Sequence, residues 1–335
     1  MKKIIFVLCL ALLAAAACRK ETPAPEAKEG IPMTISAAIE APTRTNYEEV
    51  GNNINVTWEM EEYITVVSLG DAGITAVDEF TSSGEGGRDI ANFTGTWNGN
   101  EGDKVICLYP AITTLPGLYS GVEVGSSEIQ YNHYNDINLG NNDPSSLNYF
   151  DVMTGDVTIG TRSVTANVVF RRQIVVFKMN FPTLLAGLTH IGDTEQKLDT
   201  LTMSVLNPDD TPANTFVTGA TLSATKSGYT GNFVPTAYGP VGFSIQIGYY
   251  KRSSILEGTV TEERSGPYYA PVLVNGNIPA GNKLKLVFGG KTYDYGGLVT
   301  ATDPEMRVIN YTLPSTLTLT KGKYYTISDE PSGGR

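Results

Sequence analysis

The sequence predicts an all-β protein, a sandwich or barrel fold divided into two domains. Three observations point there. Short runs that alternate apolar and polar residues recur along the chain, the period-2 pattern of half-buried strands. Thr, Val, Tyr, Ile, Gly and Asn dominate after Gly30, and β-branched and aromatic side chains suit a pleated surface. Gly, Asn and Pro clusters separate the runs, and stretches with helical period are scarce.

The runs, in order, are MTISAAIE (33–40), INVTWEM (54–60), YITVVSL (63–69), KVICLYP (104–110) and VVFRRQIVVFKMNF (168–181). TLTMSVL (200–206), VGFSIQIGYY (241–250), KLKLVF (283–288), MRVINYTL (306–313) and KYYTIS (323–328) follow. Turn signals stand at 51–53, 84–87, 98–100, 275–277 and 289–290. Residues 181–188 with the following HIGDTEQK are the one place where a helical turn is expected. A sandwich takes about 100 residues, so a body of this length calls for two. The expected domains are 31–162 and 163–335, divided near Gly160-Thr161-Arg162-Ser163. There an Asn- and Gly-rich region (132–160) gives way to the long run around Arg171.

The N-terminus reads as an export signal. Lys2 and Lys3 precede an apolar stretch, Ile4 to Ala17. That stretch is shorter than the roughly 20 residues a helix needs to span a bilayer. It ends Ala15-Ala16-Ala17 directly before Cys18, the layout of a lipobox. Residues 1–17 are thus expected to be a lipoprotein signal peptide, and Cys18 the acylated first mature residue. Arg19 to Gly30, RKETPAPEAKEG, has nothing to bury, so 18–30 reads as a flexible tether.

Composition excludes some partners. The chain carries 24 Lys and Arg against 35 Asp and Glu, a net charge of -11. Loss of Lys2 and Lys3 leaves 22 against 35, or -13. An acidic body argues against nucleic acid. The cysteines are Cys9, Cys18 and Cys107. With Cys9 removed and Cys18 acylated, Cys107 has no partner for an intramolecular disulfide and reads as a small buried hydrophobe.

Motifs for catalysis are missing. His133 and His190 are the only histidines, each in a polar loop-like run, and HExxH, GxSxG and CxxC do not occur. Asp136, Asn138, Asn141 and Asp143 offer oxygen ligands of the kind calcium takes. Gly140 sits one place early for an EF-hand, however, and Leu147 occupies the place of the bidentate Glu, so a solvated loop is expected. Glu59, Glu61 and Glu62 cluster after Trp58; paired carboxylates serve glycoside hydrolysis, but acidic turns at strand ends are the commoner case. Trp58 and Trp97 sit in strand-period contexts and are expected to pack. No cofactor or metal is expected, and the chain is not expected to be an enzyme.

Read in order, these pieces resemble the fimbrillin-like family of major and accessory pilins, the type V pilus proteins of Gram-negative anaerobes. A lipobox and tether come first, then a strand ending in Arg-Thr, ISAAIEAPTRT (35–45). A Trp followed by an Ile-rich strand comes next, TWEMEEYITVV (57–67), with Glu61-Glu62 where the family usually has Gly-Asp. NFTGTW (92–97), KVICLYP (104–110), YFDVMTGDV (149–157), VVFRRQIVVFKMNF (168–181) and TLTLTKGKYYTIS (316–328) complete the likeness, which covers nearly the whole mature chain.

The resemblance implies two tandem Greek-key-type β-sandwich domains and assembly by donor-strand exchange into a fimbrium. It implies a surface-exposed precursor held in the outer membrane by its lipid. An Arg-specific protease would cut after Arg44, releasing the first strand. Other pilin subunits, of the same or another chain, would be the partners. By period-2 alternation Met33, Ile35, Ala37 and Ile39 share one face and are expected to plug the groove that this strand leaves. The donor would be the last strand pair (316–328), unless the protein is a tip or anchor subunit. The competing reading is a surface glycan-binding lipoprotein using Trp58, Trp97 and loop tyrosines as stacking platforms, which would have to be exposed.

Overall fold

Where they are described, the alternating runs fold as strands, Trp58 as an isolated bridge, and the described residues contain no helix. The computed structural model describes residues 29–40, 48–50, 53–55, 58, 61–84, 86–112, 122–126, 128–132, 151–158, 165–181, 195–254, 259–263, 267–273, 276–293 and 299–328. The strands are β1 (Ile31–Ile39), β2 (Glu48–Val50), β3 (Asn53–Asn55), β4 (Tyr63–Leu69), β5 (Ile74–Ser82) and β6 (Ile90–Trp97). Then come β7 (Lys104–Tyr109), β8 (Val122–Val124), β9 (Glu128–Asn132), β10 (Met153–Thr158), β11 (Thr165–Arg172) and β12 (Ile174–Asn180). After them run β13 (Glu195–Leu206), β14 (Phe216–Ser223), β15 (Val234–Gly239), β16 (Val241–Ser254), β17 (Thr259–Glu263) and β18 (Tyr268–Leu273). The last are β19 (Gly276–Ile278), β20 (Lys283–Tyr293), β21 (Val299–Thr312), β22 (Leu317–Leu319) and β23 (Tyr324–Ser328).

Seven strands close on themselves in the order β1-β11-β10-β7-β4-β5-β6. Closure removes the exposed edges that an open sheet would leave. The interior is packed by one apolar cluster, with Ile35, Trp58, Val66, Phe80, Phe93, Cys107 and Phe170 at its heart. Further along the chain a three-stranded sheet (β18-β12-β23) faces a five-stranded one (β17-β16-β13-β20-β21). Phe177, Phe216, Phe243 and Phe288 fill the core they share.

A third cluster ties these parts together. Val67, Leu69, Ile106 and Leu108 point outward from β4 and β7, away from the barrel interior. They pack with Ile129, Val217 and Leu222 of the sheet β15-β14-β9-β8 and with Ile174 and Val176. Strand β12 serves two cores by alternation: Ile174 and Val176 enter this cluster, while Val175, Phe177 and Met179 enter the sandwich core. Residues from Ile31 onward form one compact unit. The expected division at 162–163 lies outside the described residues. Beyond it β11 belongs to the barrel, and before it β8 and β9 join a sheet with β14. Of the segment where a helical turn is expected, residues 182–194 also lie outside the described residues, while Glu195, Gln196 and Lys197 are not helical but begin β13.

Cys107 is fully buried inside the barrel, and burial pushes its thiol far above the ordinary range. Since the thiolate is the reactive form, Cys107 should resist alkylation in the folded chain and react once it is unfolded. Peptide-level mass spectrometry, which separates it from Cys9 and Cys18, reads the result. Prompt native labelling would mean that the barrel opens far more readily than its packing implies.

Candidate functional site

The most unusual place in the molecule is the slot occupied by β1. Its sequence, IPMTISAAI, alternates, and it begins with Pro32 next to the strand end, where a missing N–H costs the ladder least. β1 is bordered on both sides. It pairs antiparallel with β6, from Ile31↔Trp97 to Ala38↔Ile90, and parallel with β11, from Thr34↔Thr165 to Ile39↔Phe170. Met33, Ile35 and Ala37 point inward and are buried, and Ile39 is half-buried against the same core. Thr34, Ser36 and Ala38, on the other face, are half-buried.

The walls of the slot differ along its length. Gly95 lies opposite Met33, Phe93 opposite Ile35 and Ala91 opposite Ala37 on the β6 side. On the β11 side Ala166 lies beside Ile35, Val168 beside Ala37 and Phe170 beside Ile39. Gly95 is required by close approach: a Cβ there would meet the Phe80 ring at 2.5 Å and the Glu79 carbonyl at 2.9 Å. Phe80 therefore fills the space next to Met33.

Trp58 closes the constellation. It is buried, lies outside the barrel strands, and forms an isolated bridge with Arg88. Its N–H donates to the Arg88 carbonyl (2.9 Å), and its carbonyl accepts from the Gly87 N–H (2.7 Å). Phe93, Tyr109 and Phe170 meet its ring edge-on, with centroids at 5.1, 5.5 and 5.6 Å. Its indole N–H donates to the Ala37 carbonyl of β1 at 3.1 Å. Buried donors without partners are costly, so this bond ties Trp58 to whatever main chain fills the slot.

A charged node lies at the end of β11. Arg172 donates through Nε and Nη2 to both carboxylate oxygens of Asp151, and the two side chains are 1% and 0% exposed. Nη1 donates to the Tyr324 hydroxyl of β23 at 3.1 Å. Neighbouring Arg171 instead reaches Glu40, just past β1, across an exposed 3.7 Å pair, an arrangement that contributes little.

The other residues singled out in the sequence fall elsewhere. Cys18 and Arg44 lie outside the described residues, as do Cys9, Glu59, His133, His190, Asp136, Asn138, Asn141 and Asp143. Glu61 is exposed with φ of 59°, a left-handed conformation that glycine adopts more easily. Glu62 is partly buried and accepts from the Tyr109 hydroxyl at 3.0 Å. Neither tryptophan is available to stack on a sugar: Trp58 is 1% exposed, and Trp97 is 8% exposed with its indole donating to Ser68 Oγ at 2.8 Å. The tie from Trp58 to β1 and the neighbourhood of β11 went unseen in the sequence. The alternation of Phe93, Gly95 and Trp97 in NFTGTW does mark one wall of the slot, but nothing local marks a parallel partner far along the chain.

No family model matches the chain, and no curated protein does. Solved structures similar to it include two with the description "putative cell adhesion protein". The one from Bacteroides ovatus is 14% identical with a TM-score of 0.44, covering 90% of this chain and 93% of its own. The one from Bacteroides uniformis is 14% identical with a TM-score of 0.41, covering 91% and 94%. The fimbrial anchor protein Mfa2 from Porphyromonas gingivalis is 8% identical with a TM-score of 0.30, covering 82% of each chain.

Proposed function

We propose that the chain is a fimbrial structural subunit, or a fimbrillin-like surface adhesin, made as a lipoprotein precursor and matured by loss of β1. Its work is assembly and attachment without catalysis. The observation that carries this reading is β1 itself. It is the first strand of the folded body, it completes the barrel from both sides, and it buries Met33, Ile35 and Ala37. The segment joining it to β2 contains Arg44. A cut there by an Arg-specific protease separates β1 and the Cys18 lipid from the body and leaves the other six barrel strands on one chain.

Departure of β1 would turn β6 and β11 into facing edges with unpaired main-chain groups. It would also uncover apolar pockets; each buried Met or Ile side chain is worth about 1.5–3 kcal/mol. A strand from another subunit supplies the hydrogen bonds, and its alternate side chains fill the pockets. Head-to-tail exchange of this kind does not close on itself and so builds a filament. The precursor would stand on the outer membrane, and the processed chain in the fimbrium.

Limited trypsin digestion of the unacylated precursor tests this. The expected result is an early cut after Arg44, followed by ladders or filaments of the remainder on sizing. If Arg44 resists, or the cut chain stays monomeric with β1 retained, self-assembly through this slot is wrong.

A further inference from the structure

We infer that Trp58 sets the register of the strand in the β1 slot, and that the slot selects segments with a bulky–x–β-branched–x–small inward pattern. This deepens the strand-release reading and rests on it.

The main-chain ladder cannot set register unaided. A slip of one residue turns the inward face outward and is rejected by the core. A slip of two keeps the faces and the ladder hydrogen bonds, because both repeat every two residues. Something that occurs once along the slot has to distinguish these positions. Trp58 is such a feature. Its indole stands at one place along the slot, beside residue 37, whose carbonyl accepts from its N–H; any residue could accept that bond, so the indole discriminates through the room it leaves for the side chain there. It belongs to the receiving body, since it is bridged to Arg88 and follows Arg44 in the chain. Phe93, Tyr109 and Phe170 hold its ring, so the position of the indole does not depend on β1 alone.

Side-chain size is what distinguishes the registers. The residue whose carbonyl Trp58 reads is alanine, fully buried between Ala91 and Val168 in the same cluster as the indole. Its inward neighbours two residues away are Ile35 and Ile39. A two-residue slip would bring an isoleucine under Trp58, where the native occupant is a methyl group, and overpacking of that kind is destabilising. At the other end Gly95 stands opposite the long Met33 side chain. The occupant that fits is thus an extended segment with Met, Ile and Ala, or residues of like size, at alternate positions, running parallel to β11.

The test uses the full chain nicked after Arg44 and two labelled peptides. One has the sequence of residues 31–40; the other exchanges two inward residues, Ile35→Ala with Ala37→Ile. The wild-type chain is expected to take up the first peptide about tenfold or more in preference. Trp58→Phe, whose smaller ring leaves room beside residue 37, should bring the preference to about twofold or less. Amide exchange in the uncut chain adds a second measurement: Trp58→Phe should speed exchange in β1 and leave β13, β16 and β20 as they are. Undiminished selectivity in Trp58→Phe overturns the register role while leaving strand release intact. Failure of the nicked chain to take up either peptide sinks strand release, and the code with it.

Discussion

The Arg172→Ala chain loses about 3–5 kcal/mol of stability, the usual cost of breaking a buried ion pair from one side. Asp151 is then left fully buried with its two main donors gone. Tyr324 also loses a donor, which weakens the seat of β23 beside β12. A loss of this size is a large part of a domain's margin of about 5–15 kcal/mol. Urea unfolding should show a much lower midpoint. Replacing both partners together, Arg172→Met with Asp151→Leu, should recover most of the loss, since a well-packed apolar pair often equals a buried ion pair. A change of less than about 1 kcal/mol in Arg172→Ala would be the value of an exposed pair, and would mean that water reaches the carboxylate.

Ile35→Asp makes the precursor assemble without a protease. Ile35 is fully buried between Phe93 and Ala166, so a carboxylate there is either ionised in an apolar core or forced to stay protonated. Removing the side chain alone forfeits about 1.5–3 kcal/mol. The expected result is that β1 leaves its slot while still attached, and sizing shows oligomers of uncut chain. Adding the wild-type peptide of residues 31–40 should return the chain to monomer by refilling the slot. The control is Ser36→Asp: Ser36 sits next in the strand on the outer, half-buried face, and this chain should stay monomeric. An Ile35→Asp chain that remains a stable monomer would mean that β1 is not the plug.

Much of this could be read before any fold was in hand, because alternation is a local property. The pattern of IPMTISAAI separates Met33, Ile35 and Ala37 from Thr34, Ser36 and Ala38 whatever the strand pairs with. KVICLYP is apolar after Lys104 and buried on both faces, Val105, Cys107 and Tyr109 in the barrel core and Ile106 and Leu108 in the neighbouring cluster. Strand content and the two faces of the first strand therefore came from residue order and a two-residue period, whereas the turn expected at Gly289-Gly290 falls inside β20, at an irregularity in its pairing. What stayed hidden was which strands meet. The parallel pairing of β1 with β11 joins Ile39 to Phe170, and no local signal encodes so distant a neighbour. Arg171 and Arg172 look alike in the sequence, yet one side chain is 55% exposed and the other 1%. The meeting of Trp58 with the Ala37 carbonyl likewise depends on closure of the sheet, which brings together groups that residue order leaves apart. Alternation sorts side chains into two faces, but only the closed barrel and the sheets packed on it settle which face is inside, where a charge finds its partner and which carbonyl a buried indole can reach.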